Sequence, residues 1–100
     1  PHGDRLKPDD ANFDATYGRA PGGMGPDEIG QHPASRSPFG VDDLTGNAFE
    51  WTTSSLDRGQ FVLRGGSYFY DQKTNRICNR QVAGPTIRLA SSGIRVCITL

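Results

Sequence analysis

The 100-residue sequence has only two cysteines, no net charge and no long hydrophobic run. Cys78 and Cys97 are too few for the disulfide framework of a small secreted domain, so we expect free, packed thiols, with a bridge between them as the alternative. The arginines are spread along the chain, which argues against a nucleic-acid partner. Because no apolar run approaches the roughly 18 residues that cross a bilayer, we also expect no membrane partner and a cytoplasmic location.

Several common catalytic motifs are missing as well. The sequence has no G-x-S-x-G elbow, no H-E-x-x-H pair and no phosphate-binding glycine loop. His2 and His32 have no His, Cys or paired acid at ligand spacing, so we interpret both as surface histidines and not as zinc or iron ligands. The acids could act as an acid–base pair, but the pattern singles out no such pair.

The residues that are abundant favour a loop-rich fold. Glycine occurs 13 times and proline 7 times, whereas apolar residues make up 34% of the chain. Long amphipathic helices are therefore not expected, and 100 residues form one domain at most, with a thin core. We expect an α+β or mostly β unit in which residues 1–38 form irregular loops and residues 39–100 form the core.

Two stretches after Trp51 have opposite patterns. Residues 52–59 are polar and are expected to form a turn. In contrast, residues 61–64 alternate between the two faces of a strand, and Gly65-Gly66 then lets the backbone bend. A second strand could follow through Tyr68 and Tyr70.

The same alternation returns near the end of the chain. It is present at 75–80, and it is clearest at 93–100, where Ile94, Val96, Ile98 and Leu100 share one face. We expect these strands to form one small antiparallel sheet.

The segment from Phe39 to Trp51, FGVDDLTGNAFEW, combines acids, a Gly-Asn turn and aromatic side chains. Its polar residues could surround a cation, since calcium accepts about six to eight oxygens from carboxylates and carbonyls. The alternative is that Asp42 or Asp43 caps a short helix while Glu50 pairs with an arginine. An earlier acidic group has similar alternatives, a cation site or a solvated loop; it comprises Asp9, Asp10, Asn12 and Asp14.

Four separated blocks occur in an order that resembles the C-terminal part of the formylglycine-generating enzyme family, also called sulfatase-modifying factors. The blocks are SPFGVDDLTGNAFEWT, VLRGGSYF, NRICNR and GIRV. The resemblance implies a C-type-lectin-like fold. Because the family's earlier helical portion is absent, we expect the chain to be a fragment whose partner is the missing N-terminal part of the same domain.

The resemblance also implies a structural calcium ion. Carried over position by position, its ligands are the side chains of Asp43 and Glu50 and the carbonyl oxygens of Gly46 and Ala48. A second calcium site of the family begins at a pair that Asn12-Phe13 resembles, and no convincing partner acid follows it.

This sequence departs from the family at the catalytic positions. The oxidases resemble GGS followed by two cysteines five positions apart, which bind copper(I) and oxidise a substrate cysteine to formylglycine. The corresponding residues here are Tyr70 and Asn75, and neither supplies a thiolate. We therefore predict a noncatalytic module that binds a polar small molecule or a protein through a rebuilt cleft. The cleft residues would be Phe69, Tyr70, Asp71, Gln72, Lys73 and Asn75.

Two related possibilities remain open. The chain could be part of an oxidoreductase, of the formylglycine-generating or sulfoxide-synthase type, whose missing catalytic residues lie outside this sequence. Alternatively, it could resemble the proteins of diversity-generating retroelements, which vary surface residues on the same C-terminal segment for ligand binding.

Overall fold

Loops make up most of the chain, and four short strands supply its framework. The structure is a computed structural model that describes residues 3–100, so His2 lies outside the described residues. The elements are α1 (Asp14–Tyr17), β1 (Phe49–Leu56), β2 (Gln60–Arg64), β3 (Gln81–Ala83) and β4 (Ser92–Gly93), with 3₁₀ turns at Pro33–Ser35 and Asp57–Gly59. The result is a small α+β fold.

The strands form one mixed sheet in the order β3-β2-β1-β4. β1 and β2 form an antiparallel hairpin in which Trp51 faces Leu63. β3 continues the antiparallel pairing, but β4 runs parallel to β1, with Phe49 opposite Ser92. The prediction of an antiparallel sheet is therefore wrong for β4. A parallel neighbour requires a long crossover, and residues 84–91 bring the chain back across the sheet.

Two predictions along the hairpin have different outcomes. The strand predicted at 61–64 is confirmed as β2. The polar turn predicted at 52–59 is wrong, because β1 continues to Leu56 and only Asp57–Gly59 turn. Thr52 is held in the sheet by its hydroxyl, which donates a hydrogen bond to the Val62 carbonyl at 2.8 Å. Cross-strand partners thus override the polar composition of this segment.

The remaining strand predictions are wrong. The stretches through Tyr68 and Tyr70 and at 75–80 form successive turns, closed by main-chain bonds such as Tyr70 N to Ser67 O at 3.2 Å. At 93–100 only Gly93 is in a strand. Alternation alone does not make a strand, because the backbone also needs a neighbour with which to pair.

The core is small and lies against the start of β1. Phe49, Leu63 and Ala83 are buried, and Trp51 and Tyr70 pack against them. The Phe49 and Tyr70 rings meet edge to face, with centroids 5.5 Å apart, a favoured geometry for aromatic pairs. This cluster fixes β1 directly after the 43–48 loop.

The two cysteines are free, as predicted, but both Cys78 and Cys97 are exposed, so the prediction of packed thiols is wrong. Among the described residues, no helix has the length and hydrophobicity needed to cross a membrane.

Candidate functional site

The loop that precedes β1 has an unusual backbone. Asp43, Gly46 and Asn47 all have positive φ angles, of 56°, 78° and 64°. The loop lies between two other segments, since Gly46 N donates to Gly65 O at 2.7 Å and Asn47 N donates to Asn12 O at 2.8 Å. A Cβ at Gly46 would lie 2.4 Å from the Asn12 carbonyl oxygen. Only glycine fits here.

The predicted calcium ligands lie partly around one cavity. Asp43, Ala48 and Glu50 line a cavity of about 370 Å³, whereas Gly46 is not among its lining residues. Asp43 is 8% exposed, and its Oδ2 accepts a hydrogen bond from Gly30 N at 2.8 Å. The structure therefore brings three of the four predicted ligands together.

Arg95 crosses the same cavity. Its Nε lies 3.0 and 2.9 Å from the two Glu50 oxygens, and its Nη2 donates to the Asp42 carbonyl at 2.9 Å. The bond to Glu50 raises the pKa of Arg95 above its ordinary value. The alternative in which Glu50 pairs with an arginine is thus observed. Asp42 caps no helix; it pairs with Arg36 at 2.7 Å, which lowers the pKa of Asp42.

The donor chemistry of this loop fits calcium but is sparse. In residues 3–100 no three His, Cys, Asp or Glu side chains converge, so a cation would depend on main-chain oxygens as well as on Asp43 and Glu50. Calcium accepts this mixture of ligands. A carboxylate has about four lone-pair positions. Arg95 makes three contacts with the Glu50 oxygens, which leaves about one position for a second cation.

A buried polar network lies beside the loop. Asn12 Nδ2 donates to Gly25 O at 2.7 Å and to Asn47 Oδ1 at 3.2 Å, and Asp27 N donates to the same Asn47 oxygen at 2.7 Å. His32 is 5% exposed and lies 2.8 Å from Asp27 Oδ2. The prediction that His32 is a surface residue is therefore wrong, because its partner Asp27 is brought to it by the fold.

The environment of His32 has opposing effects on its pKa. Burial lowers it, but the hydrogen bonds to Asp27 and to the Asp9 carbonyl outweigh burial, and the pKa is raised. The earlier acidic residues do not share a site, since Asp10 accepts from Lys7 N at 2.8 Å and Asp14 pairs with Arg19 at 3.1 Å.

The residues predicted to line a ligand cleft are divided by the fold. Tyr70 packs into the core, and Phe69 lies under the Arg19 guanidinium, 5.2 Å from the ring centroid. Asp71 and Lys73 are exposed on the surface of the turn. Gln72 and Asn75 are the members of the set that line a cleft of about 820 Å³.

Asn75 is fully buried and holds the turn that follows the Gly65-Gly66 bend. Its side-chain amide donates to the carbonyls of Ser67, Tyr70 and Asp71, at 3.3, 2.9 and 2.8 Å. Gly66 makes room for it, since a Cβ there would lie 2.2 Å from Asn75 Oδ1. At this position the side chain stabilises a loop.

This cleft lies between the N-terminal segment and the turns at 72–80. Four arginines line it: Arg5, Arg64, Arg76 and Arg80. Sequence reasoning missed this group, since the arginines are scattered along the chain. Two features of the sequence could have indicated it: Arg76 and Arg80 lie four residues apart in NRICNR, and Arg64 directly precedes the Gly65-Gly66 bend.

Comparison with known protein families identifies the family of the chain. A family model described as a sulfatase-modifying factor enzyme 1-like domain matches residues 6–100, which confirms the resemblance seen in the four sequence blocks. No curated protein matches the chain.

Proposed function

The chain belongs to the family of sulfatase-modifying factor enzyme 1-like domains, and from this premise we propose that it is a noncatalytic ligand-binding domain with a structural calcium site. The proposal includes a C-type-lectin-like fold, of which this chain forms the C-terminal part. It also assigns ligand binding to the cleft that Gln72 and Asn75 line.

The environment of Asn75 carries the proposal. The resemblance places the catalytic cysteines of the oxidases at positions 70 and 75. Here Tyr70 occupies the first position and packs on Phe49. Asn75 occupies the second, and its amide donates hydrogen bonds to three carbonyl oxygens of its own loop. Copper(I) prefers soft thiolate ligands, and neither residue supplies one. The donor set at these positions therefore does not fit copper, and no redox step is derived from it.

An oxidation assay tests this proposal. The protein is incubated with copper, a thiol reductant and a cysteine-containing sulfatase-type peptide, and the aldehyde is detected by hydrazide labelling and peptide mass. We expect no formylglycine beyond that formed by copper alone, while an oxidase of the family serves as positive control. Formylglycine that depends on this protein would overturn the proposal.

The calcium site is supported by the arrangement of the 43–50 loop. Asp43, Ala48 and Glu50 share one cavity. Asp43 and Asn47 have positive φ angles, a sparsely populated conformation that costs free energy, although less at Asp and Asn than at other non-glycine residues. A bound cation would offset that cost and would neutralise Asp43, which is buried. One role follows for the ion: it stabilises the loop whose Thr45 forms part of the cleft wall.

Thermal unfolding tests the site. Calcium added to chelator-treated protein should raise Tm, because a ligand that binds only the folded state stabilises it. Glu50→Gln should abolish this shift. Asp57→Asn is the matched control, since Asp57 is an exposed acid in the hairpin turn, and it should leave the shift intact. An equal calcium shift in Glu50→Gln would refute the assignment.

We further propose that the earlier part of the same domain covers the C-terminal run. Ile94, Val96 and Ile98 are 81%, 78% and 77% exposed. This much exposed apolar surface is typical of an interface. Intact-mass analysis of the purified material should reveal a second, noncovalently bound chain; recovery of this chain alone, monomeric and without aggregation, would count against the idea.

A further inference from the structure

We propose that the arginine cleft, defined by Arg5, Arg64, Arg76 and Arg80, binds the oxyanion group of a small ligand: a carboxylate, sulfate or phosphate. The inference rests on the proposed function, in which this cleft is the ligand site, and it specifies the ligand's chemistry.

The local charge of the cleft differs from that of the whole chain. The chain as a whole is neutral, with eleven basic and eleven acidic residues. Around the cleft, however, four arginines and a single acidic residue, Asp4, are among the lining residues. Positive charge concentrated in a concave site raises the local concentration of anions.

Among residues 3–100, these arginines form no ion pair with an acidic residue. Elsewhere in the chain, Arg19, Arg36 and Arg95 form ion pairs with carboxylates. Within the described range, none of the four cleft arginines does so. Arg64 Nη1 donates to the Ile77 carbonyl at 3.2 Å, which leaves its other N–H groups for a ligand. A guanidinium group is a planar fork that matches an oxyanion with two parallel hydrogen bonds.

The wall of the cleft also contains polar residues without charge. Thr45, Gln72 and Asn75 line it beside the arginines. Thr45 and Asn75 are buried, at 3% and 0% exposed, so they form a fixed part of the wall.

The shape and composition of the cleft favour a small ligand over a nucleic acid. A volume of about 820 Å³ lies in the range of small-molecule pockets. No aromatic side chain is among the described lining residues, whereas single-stranded nucleic acids are bound by stacking of bases on aromatic rings.

Calorimetric titration of the protein with inorganic phosphate, sulfate and acetate tests the inference. Ionic strength is held constant with sodium chloride, so that electrostatic screening is the same at every concentration of the titrated anion. We expect saturable binding of at least one anion, and the three arms identify which oxyanion the cleft prefers. Arg76→Gln and Arg80→Gln should each weaken binding about tenfold or more, since a hydrogen bond to a charged group is worth roughly 1.5 to 3 kcal/mol. Arg88→Gln is the matched control, because Arg88 is exposed and outside the cleft, and it should bind normally.

A second measurement needs no variant. Cys78 lines the cleft, whereas Cys97 is exposed elsewhere. The anion that binds in calorimetry should slow alkylation of Cys78 by N-ethylmaleimide and leave the rate at Cys97 unchanged.

Several outcomes would overturn the inference: no anion binding above chloride, an equal loss of binding in Arg88→Gln, or equal effects at both cysteines. Tighter binding of a single-stranded oligonucleotide through the same arginines would also overturn it. If the protein produces formylglycine and also binds an anion in the cleft, the proposed noncatalytic function is refuted and the oxyanion site is supported.

Discussion

Replacement of Asn75 is the sharpest test of how the loop after the glycine bend is held. Asn75→Ala removes an amide that lies 2.8 to 3.3 Å from three carbonyl oxygens. An NH₂ group has two hydrogens, so about two full hydrogen bonds are lost, at about 1 kcal/mol each.

The three carbonyls are not left bare. Ser67 O still accepts from Tyr70 N, Tyr70 O from Asp14 N, and Asp71 O from the main-chain N of residue 75, at 3.1 to 3.2 Å. The penalty for unsatisfied acceptors is therefore small, and a partly filled cavity adds about 1 kcal/mol. We expect a total loss of about 2 to 3 kcal/mol, or about 10 to 20 °C in Tm for a domain of this size.

Asn75→Asp tests whether the NH₂ group of the Asn75 amide, and not its oxygen, faces the three carbonyls. Asn75→Asp places carboxylate oxygens against the three carbonyls in a fully buried position, and an uncompensated buried charge costs about 3 to 5 kcal/mol. It should therefore be less stable than Asn75→Ala. Asn79→Ala is the control, because Asn79 is half-buried and donates one bond to Thr74 O at 2.8 Å; its loss should be about 1 kcal/mol.

Urea unfolding followed by the fluorescence of Trp51, the single tryptophan, measures all three variants. If Asn75→Asp is as stable as Asn75→Ala, or if both match Asn79→Ala, the amide does not hold this loop and the reasoning fails.

Two further predictions concern the 43–50 loop and its neighbours. Gly46→Ala should destabilise the protein by about 3 kcal/mol or more, because φ at Gly46 is positive and the new Cβ would meet the Asn12 carbonyl. Gly25→Ala is the control and should change stability little, because its Cβ would meet nothing within 4 Å. Equal losses of stability in urea unfolding of the two variants would contradict the close contact between Gly46 and Asn12. The raised pKa of His32 implies stability that is fully present below its ordinary value of 6.5 and is lost as pH rises through the folded value. As the pH rises from below 6.5 through the folded pKa of His32, the Tm of the native protein should therefore fall more than the Tm of His32→Gln. Parallel dependence of the two Tm values on pH would refute this.

Strand β2 and the family could be predicted because their signals are local. Residues 61–64 alternate, a glycine bend follows, and the blocks around them occur in the family's order. The end of the chain shows the limit of such signals. Residues 93–100 have the clearest alternation, yet Ile94 and Val96 are exposed, since a strand also needs a partner that the pattern does not supply.

The candidate site could be predicted only in part for the same physical reason. Asp43 and Glu50 are close in sequence, so their approach to one cavity follows from the loop. The partner of Glu50 is Arg95, 45 residues away, and the cleft arginines extend from Arg5 to Arg80. Pairing over such distances is fixed by the tertiary fold, and the composition shows only that charges of both signs are present.

The central claim is that oxygens of the 43–50 loop bind a calcium ion that stabilises a ligand-binding domain. Calorimetric titration of chelator-treated protein with calcium chloride tests it most directly. The account predicts about one saturable binding event per chain, which is lost when Asp43→Asn and Glu50→Gln are combined. Absence of calcium binding in the native protein, or binding that persists unchanged in the double variant, would contradict it.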